Sequence, residues 1–136
     1  MAEILFRDLV STLDPETDWR VASAGCWARP NNIATQTAVM VMQDRGIDLS
    51  EHLSQPVTEA LLDSFNLVLC MEGEHKRFIQ KNFFSAREKT YLLYEMIGKE
   101  KEIWDPIGMS QNAYENTASE MLEIMTEGFE QISSLA

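Results

Sequence analysis

Apolar residues recur along the chain as short one-sided stripes separated by polar turns. Leu5, Leu9 and Leu13 stand four apart with Ile4 and Phe6 beside them, and Asp14-Pro15 ends the pattern, which predicts a first helix. Trp19 to Ala22 alternates apolar and polar positions and runs into Ser23-Ala24-Gly25, the signature of a short strand entering a tight loop. The segment Cys26 to Asn32 has no period. Ala38, Val39 and Met42 recur at helical spacing between Thr35 and Arg45, with Gly46 placed to close that helix in a left-handed turn. Thr58 ahead of Glu59 and Leu61-Leu62 reads as a cap and a third, short helix.

Asn66 to Met71 is a continuous apolar run, as expected of a strand covered on both faces and hence of a parallel sheet. A helix from Gly73 to Phe83 and a strand from Thr90 to Leu93 repeat the alternation, followed by a charged loop from Gly98 to Glu102. Ala118, Met121, Leu122, Met125, Phe129 and Ile132 then share one face, which predicts a single unbroken last helix. Helices alternating with short strands make this an α/β protein, a single domain over residues 1–136.

Charge narrows the function classes. Eleven Lys and Arg against 22 Asp and Glu leave a formal net charge of −11, so a nucleic-acid or anionic-membrane surface, which needs clustered cations, is not expected. No run reaches 18 apolar residues, and the first eight residues mix charges with apolar positions. A cytosolic protein is therefore expected, with Cys26 and Cys70 reduced. Two cysteines with His52 and His75 make no zinc-binding pattern at their spacings, and no cofactor is expected.

The candidate chemistry comes from a set of short motifs in order. Met1-Ala2-Glu3 opens a helix, Ser23-Ala24-Gly25 ends a strand, and Gly46-Ile47-Asp48-Leu49-Ser50 precedes His52 and Ser54-Gln55-Pro56-Val57-Thr58. Leu67 to Met71 is followed by Glu74-His75-Lys76, and Asp105-Pro106-Ile107-Gly108 precedes the long amphipathic helix. In this order the chain resembles the low-molecular-weight protein tyrosine phosphatase family, which also contains bacterial protein arginine phosphatases. The resemblance implies a three-layer α/β fold around a four-stranded parallel sheet in order 2-1-3-4. It also implies that Asp105 is the general acid, and that Trp27 and Ile107 wall the crevice around the phosphorylated side chain.

One departure shapes the expectation. In the family a first strand and a Cys-x5-Arg-Ser/Thr-Pro loop come before the position of Met1-Ala2-Glu3. The expectation is thus a phosphatase-like sheet without its first central strand, lacking the nucleophile and the phosphate-binding Arg. Cys70 is followed six positions later by Lys76, but Glu72 and Glu74 lie between them and Lys cannot make an arginine's two-pronged contact, so Cys70 reads as a buried thiol. Cys26 has its nearest Arg, Arg29, only three residues on, and reads as a loop or core thiol. His52 and His75 read as solvated or capping residues, and Glu100-Lys101-Glu102 as a solvated loop.

Three readings of function follow. The chain is a catalytically inactive relative of the phosphatases; or a fragment of an active cytosolic protein tyrosine or arginine phosphatase, whose partner is a phosphorylated protein; or a non-catalytic interaction module. The unpaired edges left by a missing central strand further predict a homo-oligomer.

Overall fold

The computed structural model describes residues 1–136. Six α-helices surround two strands: α1 (Ala2–Leu13), α2 (Gln36–Gln43), α3 (Glu59–Asp63), β1 (Val68–Cys70), α4 (Gly73–Asn82), β2 (Thr90–Leu92), α5 (Gln111–Glu127) and α6 (Phe129–Leu135). Two 3-10 segments, Phe84–Lys89 and Leu93–Ile97, flank β2. Hydroxyl caps set three helix starts: the side chains of Thr35, Thr58 and Ser110 accept from the amides of Ala38, Leu61 and Ala113.

β1 and β2 pair in parallel with Val68 opposite Thr90, Leu69 opposite Tyr91 and Cys70 opposite Leu92. Alternation sends their side chains to opposite faces. Leu67, Leu69, Met71 and Tyr91 pack on the main core, where Leu5, Val41, Met42, Leu93, Met121 and Ile132 from the surrounding helices meet. Val68, Cys70 and Leu92 face a smaller cluster of Leu62, Ile79 and Ala86. Helices thus cover both faces of a parallel sheet, the expected three-layer arrangement. No helix is long and apolar enough to cross a membrane.

Two sequence expectations fail. Trp19–Ala22 does not form a strand: its side chains alternate between half-buried and exposed, but residues 20–24 make no backbone–backbone hydrogen bond. Alternation reports which side is covered; a ladder also needs a neighbour, and no segment of this chain runs beside it. The four-stranded order 2-1-3-4 is accordingly not present, the sheet being the β1–β2 pair alone. The chain does not slide another segment into a central position, and α1 stays helical.

The second failure is the last helix, which divides at Gly128 into α5 and α6. A Cβ there would stand 2.8 Å from the Met96 Cβ, so the backbone of the 3-10 segment Leu93–Ile97 lies directly against the helix at the break.

Candidate active site

The C-terminal end of a parallel strand is where α/β proteins place their ligands. Here β1 ends at Cys70, the carbonyl of Met71 accepts the Ile103 amide at 2.8 Å, and the Gly73 amide opening α4 donates to Glu102 Oε1 at 2.8 Å. A Cβ on Gly73 would press on that carboxylate oxygen, the movable tip of the Glu102 side chain. Residues 102–103 are therefore fixed to the strand end. Glu102 is not the solvated loop residue that its charged neighbours suggest. Lys101 is likewise engaged, donating to Glu120 Oε1 at 2.9 Å and to the Tyr94 hydroxyl at 2.7 Å.

From that anchor the chain turns outward. Asp105 Oδ1 accepts the Ile107 amide at 2.9 Å, a local turn made by the side chain itself, and the Met109 amide closes onto the Pro106 carbonyl. Gly108 takes a φ of +76°, which favours glycine. Pro106 is buried while Asp105 is exposed and Ile107 and Trp104 are 66% and 74% exposed. No cation pairs with Asp105, and Lys101, the basic residue nearest before it in sequence, is held by Glu120.

The other wall is the loop after Ser23-Ala24-Gly25. Gly25 donates to the Gln55 carbonyl and accepts from the Val57 amide; a Cβ on it would come within 2.7 Å of the Ala28 Cβ. Ser54 Oγ holds the Arg29 carbonyl at 2.6 Å. Trp27, 61% exposed, lays its ring 5.4 Å from both His75 and Phe78 of α4. His75 is thus packed beneath an indole rather than solvated. The Trp27 loop and the Asp105 turn are gathered at the start of one helix, α4. Trp27 makes no aromatic contact or hydrogen bond with Asp105 or Ile107.

A carboxylate missed by sequence reasoning ties the Trp27 wall to α1. Glu3 Oε2 accepts both the amide and the hydroxyl of Ser23 at 2.7 Å, Glu3 Oε1 pairs with Arg7 at 2.9 Å, and His52 Nδ1 lies 3.9 Å away. His52 faces this carboxylate instead of standing free. The available signal was a Glu four residues before an Arg in the first helix, and an apolar-stripe reading passes over it.

Both thiols are shifted away from the thiolate. Cys70 is 5% exposed, and burial, with the Cys26 thiol nearby, pushes its pKa up to about 12. Burial also raises the Cys26 pKa above the ordinary thiol value. An attacking thiol needs the opposite shift, toward thiolate. Lys76, six residues beyond Cys70, is committed to Glu95 at 2.6 Å and offers no free anion cradle.

Comparison with known proteins bears on the whole chain. The profile of the family described as low molecular weight phosphotyrosine protein phosphatase matches residues 1–134. A protein-arginine-phosphatase of Bacillus subtilis is 36% identical over 93% of this chain and 83% of its own length. A probable low molecular weight protein-tyrosine-phosphatase EpsP of Ralstonia nicotianae is 35% identical over 79% of this chain and 70% of its own. Among solved structures, a YwlE arginine phosphatase mutant with a phosphorylated active-site serine superposes with a TM-score of 0.89 at 34% identity, covering 97% of this chain and 86% of the other. A low molecular weight protein tyrosine phosphatase from T. tengcongensis gives 0.89 at 31% identity, over 96% and 88%. The expected α/β phosphatase fold is thereby established, and the chain belongs to the low molecular weight phosphotyrosine protein phosphatase family.

Proposed function

We propose that these residues form the acid-bearing crevice of a phosphatase acting on phosphorylated side chains of proteins, with Asp105 as the proton donor to the leaving group and Trp27 and Ile107 as its apolar walls. The observation that carries this is the Asp105 turn: an exposed carboxyl held by its own Asx turn, free of any cation, two residues beyond Ile103, whose amide is bonded to Met71 just after β1. Phosphoryl transfer to a protein nucleophile, as implied for the relative with a phosphorylated active-site serine, needs such a donor on the leaving-group side. Relatives named for arginine and for tyrosine match this chain at similar identity, so the crevice is proposed for either phosphorylated side chain.

We further propose that a polypeptide of these 136 residues shows no thiol-dependent turnover, because both of its thiols are held protonated and neither is followed six positions later by Arg. Assay of p-nitrophenyl phosphate and of a phosphoarginine peptide near pH 6 tests this. The expected rate equals that of the Cys26→Ser and Cys70→Ser variants. Turnover abolished by either substitution would contradict it. A fragment of an active enzyme is the same reading extended to a longer chain, in which an added Cys-x5-Arg segment would restore activity.

A binding-module reading is favoured by one observation, the exposure of Trp27 and Ile107. A specific protein partner retained by a chain without turnover, and lost on Trp27→Ala, would support it. The unpaired edge of β1 also carries the proposal of self-association, which light scattering at micromolar concentration decides.

A further inference from the structure

We propose that the groove between α4 and the outer edge of β2 binds an acidic, extended segment of another polypeptide. Five of the eleven Lys and Arg of a chain with net charge −11 fall between residues 76 and 89. Four of them, Lys76, Arg77, Lys81 and Arg87, line a single open groove of 650 Å³. Two carboxylates share it. Glu95 is spent on Lys76 at 2.6 Å, and Glu88 pairs with no cation, so Arg77, Lys81 and Arg87 are left without a carboxylate within 4 Å. At physiological salt, fields of exposed charges fade over about 8 Å. A partner at the groove therefore meets its local positive balance and not the −11 of the whole molecule.

The walls are fixed in place. Gln80 Nε2 donates to the carbonyls of Arg87 and Thr90, each at 3.3 Å, and Arg87 Nε returns a bond to the Gln80 carbonyl at 3.0 Å. The Arg87 guanidinium lies 5.2 Å over the ring of Phe84, which is 82% exposed. Little ordering of the groove itself is then required on binding.

The edge of β2 decides how a partner is read. An outer strand edge would ordinarily invite strand addition, but here the Leu92 amide is taken by Glu95 Oε2 and the Thr90 carbonyl by Gln80. Recognition therefore falls to the cations. Arg77 and Lys81 stand one turn apart on α4, about 6 Å along its axis. Alternate side chains of an extended chain repeat at about 7 Å. Carboxylates at every second residue match the two helix cations, with Arg87 on the opposite wall closing over the segment. The groove's lining includes none of Trp27, Asp105 and Ile107; on α4, with about 100° between successive residues, Arg77 lies about 100° and Lys81 about 60° around the axis from Phe78, whose ring meets Trp27.

The test is fluorescence anisotropy of the 136-residue chain with a labelled peptide of four Glu alternating with Ser, at 50 and 200 mM salt. Binding is expected to weaken at the higher salt and to fall at least tenfold in the K81E/R87E variant. The neutral K81Q/R87Q variant should fall between, and R45E, on another face, should leave binding unchanged. Circular dichroism melts verify that each variant is folded. Four results would overturn the proposal. These are no binding by the folded parent chain, equal binding by K81E/R87E, displacement of the peptide by inorganic phosphate at matched charge, or a change in light-scattering mass on charge reversal, which would make the face a contact between copies.

Discussion

Cys70 and Asp105 stand at the two ends of one short piece of architecture and are treated in opposite ways. The strand end that carries Cys70 is enclosed: the thiol packs with Leu62, Ile79 and Ala86 and is held protonated by burial. The turn that carries Asp105 is exposed, and its carboxyl touches only the amide of Ile107. Glu102 and Ile103 join the two, bonded to Gly73 and Met71. A reactive group placed by sequence spacing alone, as Cys70 is relative to Lys76, is a matter of chance. One placed by a built turn, fixed at its root and free at its tip, is what chemistry on an external substrate requires.

The sharpest way to break that contrast is to exchange the environments of a carboxyl. Cys70→Asp puts an ionisable group into the smaller apolar cluster, where the one nearby cation, Lys76, is already paired with Glu95, and a loss of about 3–5 kcal/mol is expected in denaturant melts. A loss under 1 kcal/mol would show that the strand end is open to water.

Cutting the link between the two regions should cost less. Glu102→Ala removes the acceptor of the Gly73 amide, at an expected cost of about 1–2 kcal/mol. Its distinguishing readout is hydrogen exchange, which should rise at the Gly73 and Ile107 amides together. Exchange that rises at Gly73 alone would mean the Asp105 turn is fixed independently of its root.

The smallest effect belongs to Asp105 itself. Asp105→Asn keeps an oxygen for the Ile107 amide and removes a charge that nothing pairs with, so stability should change by less than about 0.5 kcal/mol. A loss above about 2 kcal/mol would make Asp105 a structural residue.

Much of this arrangement was legible in the sequence, for reasons that are local. The leucine stripe of α1, the Thr58 cap of α3 and the apolar run of β1 each express a period or a hydrogen bond within a few residues, and each formed where expected. The turn at Asp105 is local in the same sense. Features that depend on a distant neighbour were not legible. Trp19–Ala22 has the alternation of a strand but no adjacent strand to bond to. The last helix breaks at Gly128, where Met96, 32 residues away in sequence, lies against the backbone. Glu102 sits in a charged run that normally faces solvent, and only the folded chain shows that it meets the Gly73 amide. Glu3 and Ser23 are a comparable pair, brought together by the return of the chain past α1.

The central claim is that the crevice belongs to a phosphatase while the two thiols beside it are structural. It is tested most directly by following alkylation of each cysteine with iodoacetamide in the native chain from pH 6 to 10, with site-resolved mass spectrometry. Cys26 is expected to react with a midpoint above the ordinary thiol value of about 8.5, and Cys70 to stay unmodified until the protein unfolds. Either cysteine reacting as a thiolate with a midpoint below about 7, as an activated nucleophile does, would contradict the claim.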